Sequence, residues 1–174
     1  RAGDLMPGWI AKNPGHRPPD EALIKAEMDR ALHPFTKPRG DLNAIRETLL
    51  NMMWDDVGII RDAASLERGL DRLETLEADL LASGIADRNR GFNLTWHDWL
   101  NLASLVEISD VVARAGQLRE NSRGAHYRED FPESGDMETS YFTLAQRKGD
   151  ELVLRREQVQ FTIVRPCETI LPEG

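Results

Sequence analysis

Residues 118–132 read Leu-Arg-Glu-Asn-Ser-Arg-Gly-Ala-His-Tyr-Arg-Glu-Asp-Phe-Pro. A long helical apolar pattern runs into this stretch, and a strand-like tail runs out of it. It holds Arg119, Arg123 and Arg128, His126, and the acids Glu120, Glu129 and Asp130 around Gly124. Gly124 tolerates backbone angles closed to other residues, so the helix is expected to stop and the chain to turn there. Pro132 prevents a helix from restarting at once. A polar knot this dense, where helix gives way to strand, is more than a solvated loop needs.

Upstream of the knot lie three helical patterns. Leu42, Ile45, Leu49, Met52 or Met53, Val57 and Ile60 recur at threes and fours, predicting a helix over 42–60 capped by Asp41. Gly58 within it suggests close approach by a neighbouring helix. Asp62 is a plausible cap for a second helix with its stripe at Leu66, Leu70, Leu73, Leu76 and Leu80, ended by Gly84. Thr95, with Asp98 three residues on, predicts the start of a third. Its residues Trp96, Trp99, Leu100, Leu102, Leu105, Val106, Ile108, Val111 and Val112 point almost all round, so it needs cover on more than one side. Leu49, Leu73 and Leu105 are expected in the core.

The N-terminal stretch 1–19 is rich in Pro and Gly and reads as an extended arm, with Trp9 and Ile10 pinning it to another surface. Asp20 caps a short helix over 21–32, and 35–40 is a basic loop. Beyond the knot, 140–146 and 151–155 are β-compatible runs joined by the turn Arg147-Lys148-Gly149-Asp150. Residues 159–165 read as a third extended segment. The resulting organisation is an arm and short helix over 1–40, a three-helix bundle over 41–120, and the knot with a β-rich tail over 121–174, in one compact domain. The fold class is mainly α: an up-and-down three-helix bundle with a short preceding helix and a C-terminal tail containing a β-hairpin.

Composition sets the outer limits. The chain has 174 residues, 40% hydrophobic and 30% charged, which suits one ordinary globular domain. A net charge of −8 argues against nucleic acid or an anionic membrane as partner. No apolar run approaches the roughly 20 residues of a membrane span, and none reads as a signal peptide. The single cysteine, Cys167, excludes an internal disulfide, with a reducing cytosol as the default compartment. A start at Arg1 reads as part of a longer chain.

Reactive chemistry finds little support. His16, His33, His97 and His126 share no ligand-like spacing, so no metal site is expected. There is no glycine-rich phosphate loop, and Ser122 lacks a nucleophile-elbow context. His97 and Asp98 read as a capping or surface pair. The knot alone remains. Its arginines brace carboxylates, within the chain or against a neighbouring domain, or they contact a bound anion or cofactor.

Ser-Arg-Gly-Ala-His-Tyr-Arg-Glu-Asp-Phe-Pro resembles the signature in the C-terminal domain of fumarate reductase and succinate dehydrogenase flavoprotein subunits, a superfamily that includes L-aspartate oxidase and adenylylsulfate reductase flavoproteins. Met53-Trp54-Asp55 and Val57-Gly58-Ile59-Ile60-Arg61 fit the same family. The resemblance implies a helical bundle beside a separate FAD-binding domain and a mobile capping domain that hold the catalytic motifs. None of those motifs occurs here, so the resemblance supplies no catalytic, cofactor-binding or metal-binding residue. Arg123, Gly124, His126, Arg128 and Asp130 match the signature loop and are candidate interdomain contacts.

The implied function is that of a supporting domain in a flavoprotein that interconverts succinate and fumarate. FAD belongs to the parent, and this piece is not catalytic alone. Implied partners are the FAD-binding and capping domains and an iron–sulfur subunit, without nucleic acid or direct membrane insertion. The implied location is cytoplasmic, with attachment to the inner membrane through partner subunits as a variant. The rival readings are a stand-alone helical interaction module and the corresponding domain of an L-aspartate oxidase.

Overall fold

The computed structural model describes residues 2–15, 18–149, 151–166 and 168. The sequence features His16, Asp150 and Cys167 lie outside the described residues. Two compact units are present, Arg1–His33 and Pro34–Gly174.

The first unit holds α1 (Ala2–Lys12) and α2 (Glu21–Leu32). The expected extended arm is instead largely helical. Asp4 in the first turn and Lys12 in the last complement the helix dipole, and Pro7 is accommodated inside. Trp9 and Ile10, expected to be pinned, are exposed. Asp20 caps α2 as expected, accepting from Leu23 N at 3.1 Å.

The second unit is built on α3 (Leu42–Val57), α4 (Ala63–Ala82) and α5 (Leu94–Leu118), an up-and-down bundle. Its core includes Leu49, Met52, Leu66, Leu73, Leu80, Trp99, Leu102 and Ala113. The leucine stripe of α4 therefore faces inward as its spacing requires. Trp99 fixes one corner, donating Nε1–H to Leu80 O at 3.2 Å and Ser83 O at 2.9 Å. At the other end, the buried Asp56 carboxylate of α3 accepts from Arg68 and Arg72 of α4.

Four local expectations are corrected. The first helix ends at Val57 rather than Ile60, because Ile60–Arg61 forms a short strand, β1. Gly58 is not a helix-packing position, since a Cβ there would meet Trp54 O of its own helix at 2.5 Å. Gly69 supplies the close approach, where a Cβ would meet Val57 Cγ2 at 2.8 Å. Asn93, not Thr95, caps α5: its Oδ1 accepts from Trp96 N and from the Thr95 hydroxyl. Leu105 is 46% exposed, with Ile108 and Val112 beside it, so the second apolar face of α5 lies uncovered.

β1 pairs in parallel with β2 (Tyr127–Arg128), aligning Ile60 with Tyr127 and Arg61 with Arg128. The tail forms an antiparallel hairpin, β3 (Tyr141–Lys148) and β4 (Glu151–Gln158), with Gly149 at positive φ in the turn. The expected third extended segment does not become a strand. Val159 N still reaches Ser140 O at 2.8 Å, after which the chain leaves the ladder. No helix among the described residues is long and apolar enough to cross a membrane.

Candidate functional site

The knot begins where α5 ends. The last carbonyls of a helix lack intrahelical partners and carry its negative dipole end. Arg128 meets both needs from β2. Its side chain is 2% exposed. Its Nη1 donates to Gly116 O at 2.9 Å and Gln117 O at 3.1 Å, with Arg119 O at 3.3 Å. The opposite edge of the guanidinium faces Asp130, with Nε to Oδ1 at 2.7 Å and Nη2 to Oδ2 at 2.6 Å. This is the two-pronged geometry that arginine forms with carboxylates. The guanidinium carbon lies 4.9 Å from the centre of the Phe131 ring.

Asp130 carries the network onward. Its Oδ2 accepts from Ala63 N at 3.0 Å, at the positive end of α4. A cation on the last turn of α5 is thus bonded to an anion on the first turn of α4. The hydrogen bonds from Arg128, then the Ala63 N–H, hold the Asp130 carboxyl down to about 2. Asp62 caps α4 alongside, accepting from Ser65 N at 2.6 Å and completing a reciprocal box through the Ser65 hydroxyl.

The loop folds over a tight turn. Arg123 and His126 exchange both backbone bonds, at 2.9 and 3.2 Å, and Gly124 takes φ +59° between them. That angle favours glycine and the chain turns here as expected, but α5 has already ended at Leu118 rather than at Gly124. Ser122, buried, accepts from Arg128 N at 2.9 Å and donates to Phe131 O at 2.8 Å, so its hydroxyl pins both limbs of the loop.

Arg123 does not brace a carboxylate, contrary to the simplest expectation. Its Nε, Nη2 and Nη1 donate to Ser134 O at 2.6 Å, Asp136 O at 2.8 Å and the Ser140 hydroxyl at 2.8 Å. The side chain thereby ties the knot to the acidic loop and the start of β3. His126 places Nε2 3.1 Å from Arg119 O. A carbonyl can only accept, so Nε2 carries the hydrogen. Burial pushes the imidazole below its ordinary value, against the raising effect of that bond, and the positive charges of Arg61, Arg119 and Arg128 push the same way as burial.

Arg123, Gly124, His126, Arg128 and Asp130, which the resemblance matched to the signature loop, lie together in one turn of the chain. Sequence reading placed Ser122 and Arg61 in the family stretches without a role in the network, and it missed Ser140. Arg61 sits on β1 beside Arg128, and its Nε is buried without a hydrogen-bond partner. The available signal was its position between two apolar residues and a helix cap. The arrangement offers a carboxylate held low by arginine and an imidazole whose Nε2–H is bonded to a carbonyl. Among the described residues, no cluster of three or more His, Cys, Asp or Glu is placed to hold a metal ion.

Comparison with known proteins adds a family pattern. The profile described as "Fumarate reductase flavoprotein C-term" matches residues 46–171. A fumarate reductase (CoM/CoB) subunit of Methanothermobacter marburgensis is 41% identical over 90 residues, covering 52% of this chain and 16% of the relative. The L-aspartate oxidase of Yersinia pestis is 36% identical over 81 residues, covering 47% of this chain and 14% of that enzyme. In structure, Mycobacterium smegmatis Sdh1 in complex with UQ1 matches with a TM-score of 0.72 at 24% identity, over 90% of this chain and 26% of Sdh1. That likeness is one of fold.

Proposed function

The chain belongs to the fumarate reductase flavoprotein C-terminal family, and from that premise we propose that its parent protein interconverts succinate and fumarate at a flavin, with this domain in a supporting role. It covers only 16% of the methanogen fumarate reductase subunit, so the reacting groups are assigned to the remainder of the parent. One observation carries the supporting role. The two best-placed cations of the signature loop are already committed internally, Arg128 to Asp130 and three carbonyls, Arg123 to two carbonyls and a hydroxyl. A guanidinium so engaged is poorly suited to hold a flavin phosphate or a substrate carboxylate as well. Arg123 and Arg128 thus do not fit the flavin, which we assign to the rest of the parent chain.

The loop then has two tasks. It fastens the end of α5 to the start of α4, and it presents a rigid surface to the flavin domain. Gly124 and Tyr127 are exposed on that surface. An iron–sulfur subunit is the electron partner that succinate–fumarate chemistry calls for, and it would contact the assembled parent. L-aspartate oxidase is the second reading, favoured by the 36% identity to the Yersinia pestis enzyme.

The test compares the 174-residue chain with its full-length parent. The chain alone is expected to purify colourless and to turn over neither succinate nor L-aspartate. The parent is expected to carry flavin and reduce fumarate with an artificial donor. Flavin absorption in the chain alone would overturn the supporting role, and oxidation of L-aspartate but not succinate by the parent would select the second reading.

A further inference from the structure

Arg61 stands out as a cation without an anion. Its Nε is buried and has no hydrogen-bond partner, and it forms no ion pair among the described residues. Buried donors in native proteins are almost always bonded, so such an orphan needs an explanation. The side chain lies flat on α5: a Cβ added to Gly116 would come within 3.0 Å of Arg61 Nη1 and 3.8 Å of its Cδ. The Gly116 carbonyl is itself bonded to Arg128, so the two guanidinium groups flank one residue.

The surroundings are short of negative charge. Arg119, whose Nε donates to Asn121 Oδ1 at 3.0 Å, and His126 share this corner with Arg61 and Arg128. Two nearby carboxylates are engaged, Asp130 with Arg128 and Ala63 N, and Asp62 with Ser65 N, while Glu129, whose N–H donates to Arg61 O at 2.9 Å, forms no ion pair with Arg61 among the described residues. Burial, then the charges of Arg128 and Arg119, weakens the hold of Arg61 on its proton. This concentration of positive charge sits on a chain whose net charge is −8, so its local sign is not a reflection of composition.

We propose that Arg61, flanked by Arg119, receives one carboxylate from the remainder of the parent flavoprotein, completing an ion pair that this chain leaves open. The proposal rests on the reading of the chain as a supporting domain. A carboxylate suits the site because guanidinium presents paired donors to two oxygens, and an incoming anion would relieve the mutual repulsion of the arginines. The Arg61–Arg119 corner is thereby the charge-specific part of the domain's docking surface.

The experiment follows the Nε–Hε resonance of Arg61 by NMR in the 174-residue chain, titrated with malonate against chloride at constant ionic strength. The resonance is assigned by its loss in Arg61→Lys. A saturable shift with malonate is expected, weakened in Gly116→Ala, where the guanidinium must give by a few tenths of an ångström. Absence of a malonate-specific shift would overturn the proposal. The second arm is the full-length parent. There, the resonance is expected to sit at its malonate-saturated position and to ignore added malonate. A resonance in the parent that still titrates would show that the rest of the parent supplies no carboxylate, and this too would overturn the proposal. A parent that binds no flavin would instead count against the supporting-domain reading, while the malonate titration of the chain would still report on the site.

Discussion

Arg128 and Asp130, two residues apart, meet through parallel bonds of 2.7 and 2.6 Å, and between them join the end of α5 to the start of α4. The arginine side chain is 2% exposed and that of Asp130 29%. Removing either partner leaves the other in a place built for two. Asp130→Asn is expected to cost about 3–5 kcal/mol, because the buried guanidinium loses its counter-charge. Urea denaturation of the 174-residue chain measures it. A loss below about 1 kcal/mol would place the pair in the class of exposed ion pairs.

The same pair sets an acid response. Asp130 is held down to about 2 in the fold, first by Arg128, against about 3.9 in an unfolded chain. A depressed carboxyl contributes stability that is fully present above its unfolded value and is lost as pH falls toward the folded one. The wild-type chain should therefore lose stability more steeply than Asp130→Asn between about pH 4 and pH 2. Asp62 and Asp136 are also held low and persist in the variant, so the difference between the two curves is the diagnostic quantity. Parallel curves would rule out a folded-state interaction of this carboxyl.

Core and surface leucines should separate cleanly. Leu73 is 1% exposed and Leu105 46%. Leu73→Ala is expected to lose about 2–5 kcal/mol, whereas Leu105→Ala in the chain alone stays within about 0.5 kcal/mol. Equal shifts in denaturant midpoint would contradict the facing of α5.

That contrast shows what the sequence could reveal. The α4 stripe at Leu66, Leu73, Leu76 and Leu80 has a single helical face, and the structure buries it. The α5 pattern has two faces, and periodicity cannot say which one the chain itself covers. Asp20, Asp41 and Asp62 were legible as caps because each stands immediately before an apolar-periodic run. Asn93 was not, since Thr95 two residues later imitates the same signal. The β1–β2 pair was invisible: Ile60 meets Tyr127 across the whole length of two helices, and two-residue strands have no period of their own. The knot was legible as a cluster of charge, but its acceptors are mostly backbone carbonyls, which no side-chain pattern records. The α1 helix was missed because Pro7 and Gly8 weigh against a helix whose first and last turns in fact suit its dipole.

Asp56 gives an asymmetric prediction. Its side chain is 6% exposed, while Arg68 and Arg72 are 61% and 45% exposed. Replacing both arginines by alanine strands a buried carboxylate and should cost about 3–5 kcal/mol. Asp56→Ala only returns two exposed arginines to water and should cost less. Thermal denaturation of the three proteins checks the order, and the reverse order would contradict the burial of Asp56.

The signature loop as an internal clamp is tested most directly at Arg123, through the denaturant midpoint of Arg123→Ala in the 174-residue chain, with flavin content measured in the full-length parent. Its three bonds to Ser134 O, Asp136 O and the Ser140 hydroxyl lie wholly within the chain. The predicted result is a loss of about 1–3 kcal/mol in the chain itself, with folded parent protein keeping its flavin. An unchanged midpoint in the chain, together with loss of flavin from the parent, would contradict the clamp and make Arg123 a contact to the flavin domain.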